Sequence, residues 1–281
     1  MKNHILTEEM LTEFQRHLRL KERSKATVEK YMRDVRGLLQ FACGQEMTRE
    51  LLIEYKEHLR GQLSDRSVNS VLAAINSLLT YLGWQELKLK SLRLQQTVFC
   101  PEERELSKEE YKQLCWVAEK KQNHRLNLIL QTICGTGIRI SELPFITVEA
   151  AKCGTASVNC KAKTRSVLIV QNLRKKLLKY AAAHHIESGA IFVTKNNRPI
   201  HRTTVWREMK RLCEEAQVDP RKVYPHNLRH LFARVFYNLQ KDIVRLADVL
   251  GHSSINTTRI YIISSGKEHL RHLEQMGLIL Q

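Results

Sequence analysis

Apolar residues recur every three or four positions through the first ninety residues, and strict alternation is absent there. Met10, Leu11, Phe14 and Leu18 fall on one helical face behind Thr7, whose hydroxyl can cap a first turn. Val28, Tyr31, Met32, Val35, Leu38 and Leu39 form a second stripe. Leu51, Leu52, Tyr55 and Leu59 form a third, behind Thr48. Val68, Val71, Leu72, Ile75, Leu78, Leu79 and Leu82 form the fourth and cleanest. Four amphipathic helices with short connections predict a compact bundle over residues 1–93.

The period is lost over 94–105, which contain Pro101 and end acidic, so this stretch reads as a linker. A capping box, Ser107 to Glu110, then opens a second domain over 106–281. Its pattern is mixed. Helices are predicted at 107–120, 125–135, 139–146, 171–185, 203–216, 226–238, 242–250 and 255–262. SVNC and RSVLIV flank the polar turn KAKT and predict a β-hairpin over 156–170, with Cys153 and Cys160 as hairpin residues. AIFV at 190–193 predicts a further short strand. Leu270, Leu273, Met276 and Leu280 predict a tail helix within 264–281. The expected fold is mainly α with a small antiparallel β-sheet: a helical N-terminal domain and an α+β C-terminal domain.

Charge narrows the class of partner. The chain has 46 Lys+Arg against 29 Asp+Glu, a formal net charge of +17. Residues 1–93 hold 16 basic and 12 acidic side chains, and residues 106–281 hold 29 and 14. A basic surface of this size attracts a polyanion, because bound phosphates release condensed counterions. In the first domain Lys21, Arg23, Lys25, Lys30, Arg33 and Arg36 crowd one stretch. They form either a solvated helix face or a face for DNA phosphates. No apolar run approaches the roughly 20 residues of a membrane span, and the N-terminus has no signal-peptide core. The seven scattered cysteines lack a C-x-x-C pair, which fits reduced thiols rather than a disulfide framework or a zinc site. A cytoplasmic protein is the expectation.

Within the basic half stand Arg139, Lys161, His226, Arg229, His252 and Tyr261. Each is unremarkable alone; together they can transesterify a phosphodiester without a metal or other cofactor. Two guanidiniums, Arg139 and Arg229, can clamp the non-bridging oxygens with charge-assisted bonds. A phenol, Tyr261, can attack the phosphorus and become a 3′-phosphotyrosine. An ammonium, Lys161, can protonate the departing 5′-oxygen. His226 and His252 can donate to the phosphate or exchange protons with the phenol. His226 and Arg229 are three apart, hence on one helical face, and Glu142 can orient Arg139 from the same face. Loss of either arginine is expected to spare the fold, since the apolar positions of its helix are untouched.

The strings GTGIRISEL (135–143), PHNLRH (225–230) and LGHSSINTTRIY (250–261) resemble the active-site boxes of the tyrosine site-specific recombinases, the phage integrase and Xer-like family. The likeness covers about 107–265. SKATVEKYMRDVRGLLQFA (24–42) resembles that family's SAM-like core-binding domain. By that resemblance Arg139 and Arg229 match the catalytic arginines, Glu142 the supporting acid, His226 and His252 the histidines, and Tyr261 the nucleophile. His230 completes the frequent LRH string. The family's hairpin lysine usually sits in Gly-Lys-Gly, whereas here Cys160 and Ala162 flank Lys161. Lys161 is assigned by its spacing to Arg165, and Lys163 is the rival. Leu231 and Pro144 also depart from the pattern.

The resemblance implies a clamp around duplex DNA, two protomers on an inverted-repeat core site, and a tetrameric synapse. Strand exchange would then pass through a Holliday junction. It also implies a simple Xer-like layout without an additional arm-binding module, and a tail helix passed to the neighbouring protomer. Two other readings use the same residues: a DNA-relaxing enzyme related to type IB topoisomerases, and a non-catalytic DNA-binding protein on this fold. The intact catalytic set argues against the latter.

Overall fold

The computed structural model describes residues 4–94, 105–160, 163–194, 196–252, 254–261 and 274–275, with Cys160 and Lys163 described for their backbone alone. The chain divides into two compact units, 1–96 and 97–281.

The first unit contains α1 (Glu8–Leu20), α2 (Lys25–Ala42), α3 (Arg49–Gln62) and α4 (Asp65–Tyr81). Each starts where a hydroxyl can satisfy an amide that the helix leaves free. Thr7, Ser24, Thr48 and Ser64 accept from Met10, Thr27, Leu51 and Ser67, respectively. The four apolar stripes meet in one core around Leu11, Phe14, Val35, Leu38, Leu52, Leu72, Ile75 and Leu78. Past α4, Asn76 exchanges two hydrogen bonds with the backbone of Leu89, and Asn69 does the same with Leu92. The two amides lie seven residues apart, so the segment leaving this unit is clipped along α4.

The second unit is organised on α6 (His124–Thr136), which follows α5 (Lys108–Lys120). Leu126, Leu128, Ile129, Leu130 and Ile133 are all buried, because α6 is covered on several sides. Its neighbours include α5, α8 (Gln171–Ala183), α9 (Arg202–Lys210) and α10 (Pro225–Gln240). Between α6 and α8 come α7 (Val148–Cys153) and the hairpin of β1 (Thr155–Cys160) and β2 (Lys163–Leu168). The chain then runs through α11 (Ile243–Leu250) and α12 (Ile255–Arg259).

Several expectations change. The segment forecast as a helix over 139–146 is a 3-10 turn, Ile140–Phe145, with Arg139 as its cap. Pro144 lies inside it and has no amide hydrogen for an α-helical ladder. The hairpin turn is tighter than KAKT: Cys160 pairs with Lys163, so Lys163 is a strand residue. Cys153 ends α7 instead of entering the hairpin. AIFV forms no strand, only isolated bridges Thr147–Ala190 and Val193–Pro199. The helices forecast to 216 and 262 end at Lys210 and Arg259. Of the tail forecast, only Glu274 and Gln275 fall among the described residues, and both are helical. Among the described residues, no helix is long and apolar enough to cross a membrane.

Candidate active site

Three chain segments bring the site together. The first is the end of α6, where Gly137 turns the chain at φ +66°. A Cβ there would approach the Phe232 ring of α10 to 2.5 Å, so the glycine is needed both for its φ and for close packing. Two residues on, Arg139 keeps a partly exposed guanidinium. Glu142, 1% exposed, accepts from the Arg139 backbone N–H at 2.7 Å and from Arg139 Nη1 at 3.0 Å. Burial alone would raise the Glu142 pKa. The Arg139 amide and the Arg165 and Arg139 guanidiniums outweigh it and hold the carboxyl below its ordinary range.

The second segment is the start of α10. Pro225 sits in its first turn, where a missing N–H costs nothing. His226, Arg229 and His230 follow at i, i+3 and i+4 and share one face. Arg229 is fully buried. Its Nη1 donates to Gly137 O at 2.5 Å, and its Nη2 to Leu250 O at 2.7 Å and to His252 Nε2 at 2.9 Å. Of five N–H bonds in a guanidinium, those on Nε and the second on Nη1 remain. Nε is buried without a partner among the described residues. Arg229 thus ties the ends of α6 and α11 together, through contacts that the apolar pattern of its own helix does not reveal.

The third segment runs from Gly251, in the left-handed region at φ +65°, through α12 to Tyr261. His252 Nδ1 lies 2.9 Å from Thr258 Oγ1. Since Arg229 can only donate, His252 Nε2 accepts, which assigns the proton to Nδ1. Tyr261 is 6% exposed and packs with Ala233, Leu246 and Leu250. Its Oη is 3.2 Å from His226 Nε2. Its ring stacks on His230 at 4.1 Å, with the Arg229 guanidinium carbon 5.9 Å from the ring centre.

The electrostatics favour neutral imidazoles. Burial, then the Arg229 and Arg139 charges, lower the His226 pKa. Burial, then Arg229, Arg139 and Arg165, push His252 down to about 4. Burial, then His226 and two arginines, bring His230 to about 4. Arg229 itself falls to about 10, through burial and Arg139, partly offset by Tyr261. A neutral His226 can take a proton from the phenol; a protonated one could not.

Five of the six residues expected in the catalytic set, Arg139, His226, Arg229, His252 and Tyr261, therefore converge, with Glu142 beside Arg139. Lys161 lies outside the described residues, and Lys163 is placed only by its backbone on β2. The basic stretch of the first unit is less uniform than its sequence. Lys21 and Arg23 are exposed and have no ion-pair partner among the described residues. Lys25 lies 4.0 Å from Glu29, and Arg36 3.4 Å from Glu8. Lys30 is bound to Asp34 and to Ser70 O, and Arg33 also contacts the buried Asp34. Part of this charge is thus spent within the unit. Two site residues have no evident role in the sequence pattern alone. His230 was visible only as part of a string, although its i+4 spacing from His226 gives it the same face. Arg165 lies 23 residues from Glu142 and 84 from Val249, so local spacing gives it no role. Among the described residues no group of three or more His, Cys, Asp and Glu is placed to hold a metal.

The chain matches the phage integrase family over residues 104–268 and the N-terminal SAM-like domain of phage integrases over 11–86. It is 30% identical to the tyrosine recombinase XerA of Pyrococcus furiosus, covering 99% of this chain and 98% of that relative. It is 31% identical to the tyrosine recombinase XerH of Campylobacter jejuni, covering 77% and 67%. A lambda integrase dimer bound to a COC' core site shares the fold, with a TM-score of 0.73 at 16% identity, over 92% of this chain and 95% of that one. A XerH recombinase bound to its difH substrate does so at 0.70 and 19%, over 95% and 84%. The chain belongs to the phage integrase family. It is a tyrosine recombinase, an enzyme that catalyses DNA strand transfer in site-specific recombination.

Proposed function

We propose that Tyr261 is the nucleophile and that the residues around it carry out cleavage and rejoining of a DNA strand. The carrying observation is the 3.2 Å approach of Tyr261 Oη to His226 Nε2, in a pocket also bounded by Arg229 and His252. In the cleavage step the Tyr261 oxygen bonds to phosphorus, its proton passes to His226, and the bond from phosphorus to the 5′-oxygen breaks. Lys161 protonates that oxygen. Arg139 and Arg229 neutralise charge on the two non-bridging oxygens, and His252 steadies Arg229. The product is a 3′-phosphotyrosine and a free 5′-hydroxyl. Attack by the 5′-hydroxyl of a partner strand reverses the step and restores Tyr261, so no external energy source is consumed.

The DNA is a duplex with inverted-repeat core sites, bound by one protomer per half-site. Lambda integrase has been solved as a dimer on a core site and as a tetramer on a Holliday junction, and the same assemblies are proposed for this chain. Lys21 and Arg23, exposed and without an ion-pair partner among the described residues, are proposed to contact DNA phosphates. The enzyme acts in the cytoplasm, at the nucleoid, where such duplexes are found.

The test uses a nicked duplex selected from a random pool by binding to the wild-type chain. Incubation with a labelled oligonucleotide bearing a new 5′-hydroxyl should yield joined product at one position. Resealing of only the original strand, without sequence preference, would instead mark a relaxing enzyme.

A further inference from the structure

We infer that Arg165 is a positioning residue, which aligns Arg139 for the scissile phosphate through Glu142 and, through the C-terminus of α11, the His252 that steadies Arg229. It stands on β2 opposite Val158, with its side chain 14% exposed. Its two terminal nitrogens point to different parts of the site. Nη2 donates to Glu142 Oε2 at 2.7 Å, and Nη1 donates to Val249 O at 2.6 Å.

The first bond sets the arginine box. Glu142 Oε2 accepts from both Arg165 and the Arg139 amide, while Oε1 accepts from the Arg139 guanidinium. A nearly inaccessible carboxylate is thereby held from two sides, and its plane fixes where the Arg139 guanidinium lies. Without Arg165 one of three donors disappears, and a buried charge loses its main counter-ion apart from Arg139 itself.

The second bond sets the histidine box. The last carbonyls of α11 lack intrahelical partners and form the negative end of its dipole. Arg165 takes Val249 O and Arg229 takes Leu250 O. Gly251 and His252 follow directly. A Cβ on Gly251 would fall 2.2 Å from Arg165 Cδ, so the arginine stem runs against this turn. A lysine could serve only one of the two acceptors, because its ammonium lacks the fork that spans them.

Arg165 thus joins the hairpin strand to both catalytic boxes through its two terminal nitrogens. This inference rests on the reading of Tyr261 as nucleophile, and the experiment separates the two. Wild type, Arg165→Ala, Arg165→Lys, Glu142→Gln and the double variant Arg165→Ala/Glu142→Gln are compared on the selected nicked duplex. The rate of covalent adduct formation is followed across DNA concentration. The expected result is a maximal rate lowered about tenfold to a hundredfold in both Arg165 variants, as for a catalytic group displaced by about an ångström. The half-saturating DNA concentration should stay within about twofold. The double variant should be no slower than the slower single, since both act on one unit. The defect should persist on a duplex whose leaving 5′-oxygen is replaced by sulfur. If the alanine variant lacks a cooperative melting transition, the lysine variant carries the comparison. Wild-type rates in the Arg165 variants, additive losses in the double variant, or rescue by sulfur would overturn the inference. Absence of adduct from wild type would instead overturn the reading of Tyr261.

Discussion

His226 Nε2 lies 3.2 Å from Tyr261 Oη, and the same imidazole has its pKa lowered by burial and by two arginines. A buried phenol thus faces a base that stays unprotonated to lower pH than an ordinary histidine. Replacing His226 with Gln should slow adduct formation by about 10²-fold or more, in the range for a positioned acid or base. Single-turnover rates with the selected duplex check this. An unchanged rate would remove His226 from proton transfer.

The pH dependence follows with a definite sign. The wild-type rate should fall as pH drops through the lowered His226 pKa, because protonation removes the acceptor. Arg139→Ala removes one of the charges that depress it. Its acid limb should therefore move to higher pH, besides a loss of about 10²-fold at the plateau from missing transition-state stabilisation. A pH–rate profile of both proteins reads the shift; a limb moving to lower pH contradicts this charge coupling.

Arg229→Ala should damage both rate and stability. The change leaves Gly137 O and Leu250 O without their donor in a buried site. An unsatisfied buried group costs about 1–3 kcal/mol. Urea unfolding of the second unit should show that loss as a lowered midpoint.

Stability itself should weaken in acid. His230 and His252 both have folded-state pKa values of about 4, below the ordinary 6.5. The unfolded chain takes up their protons first, so their contribution is complete above pH 6.5 and declines as pH falls toward 4. His230→Phe keeps a ring against Tyr261 and removes one titration. Its stability should decline less between pH 7 and pH 5 than that of wild type, measured by urea midpoints.

The lysine assignment is tested by chemistry. Lys161→Ala should cleave ordinary DNA poorly and recover when sulfur replaces the leaving 5′-oxygen, since sulfur departs without a proton. Lys163→Ala should chiefly weaken binding. Rescue of Lys163→Ala alone would reverse the two roles.

The helical bundle and most of the site were legible because they depend on local pattern. Thr7 and Thr48 announce helix starts, and His226 and Arg229 lie close enough in sequence to share a face. Glu142 was also within reach of Arg139, although the connecting turn is 3-10 and not α-helical. What stayed hidden depends on distant contacts. The burial of Arg229 arises from carbonyls 92 and 21 residues away. Arg165 reaches Glu142 across 23 residues and Val249 across 84. Lys30 appeared available for phosphate, but Ser70 O and the buried Asp34 hold it. AIFV has strand composition, yet among the described residues it pairs only through single bridges.

The most direct measurement is the identity of the residue that becomes attached to DNA. Wild type and Tyr261→Phe are incubated with the selected nicked duplex, resolved on a denaturing gel, and the adduct is digested and sequenced by mass spectrometry. Wild type should carry the nucleotide on the peptide containing Tyr261. Tyr261→Phe should bind the duplex as tightly and form no adduct, since only the phenolic oxygen is lost. A persistent adduct in the phenylalanine variant, or attachment at another tyrosine such as Tyr224, would contradict the assignment of Tyr261 as nucleophile.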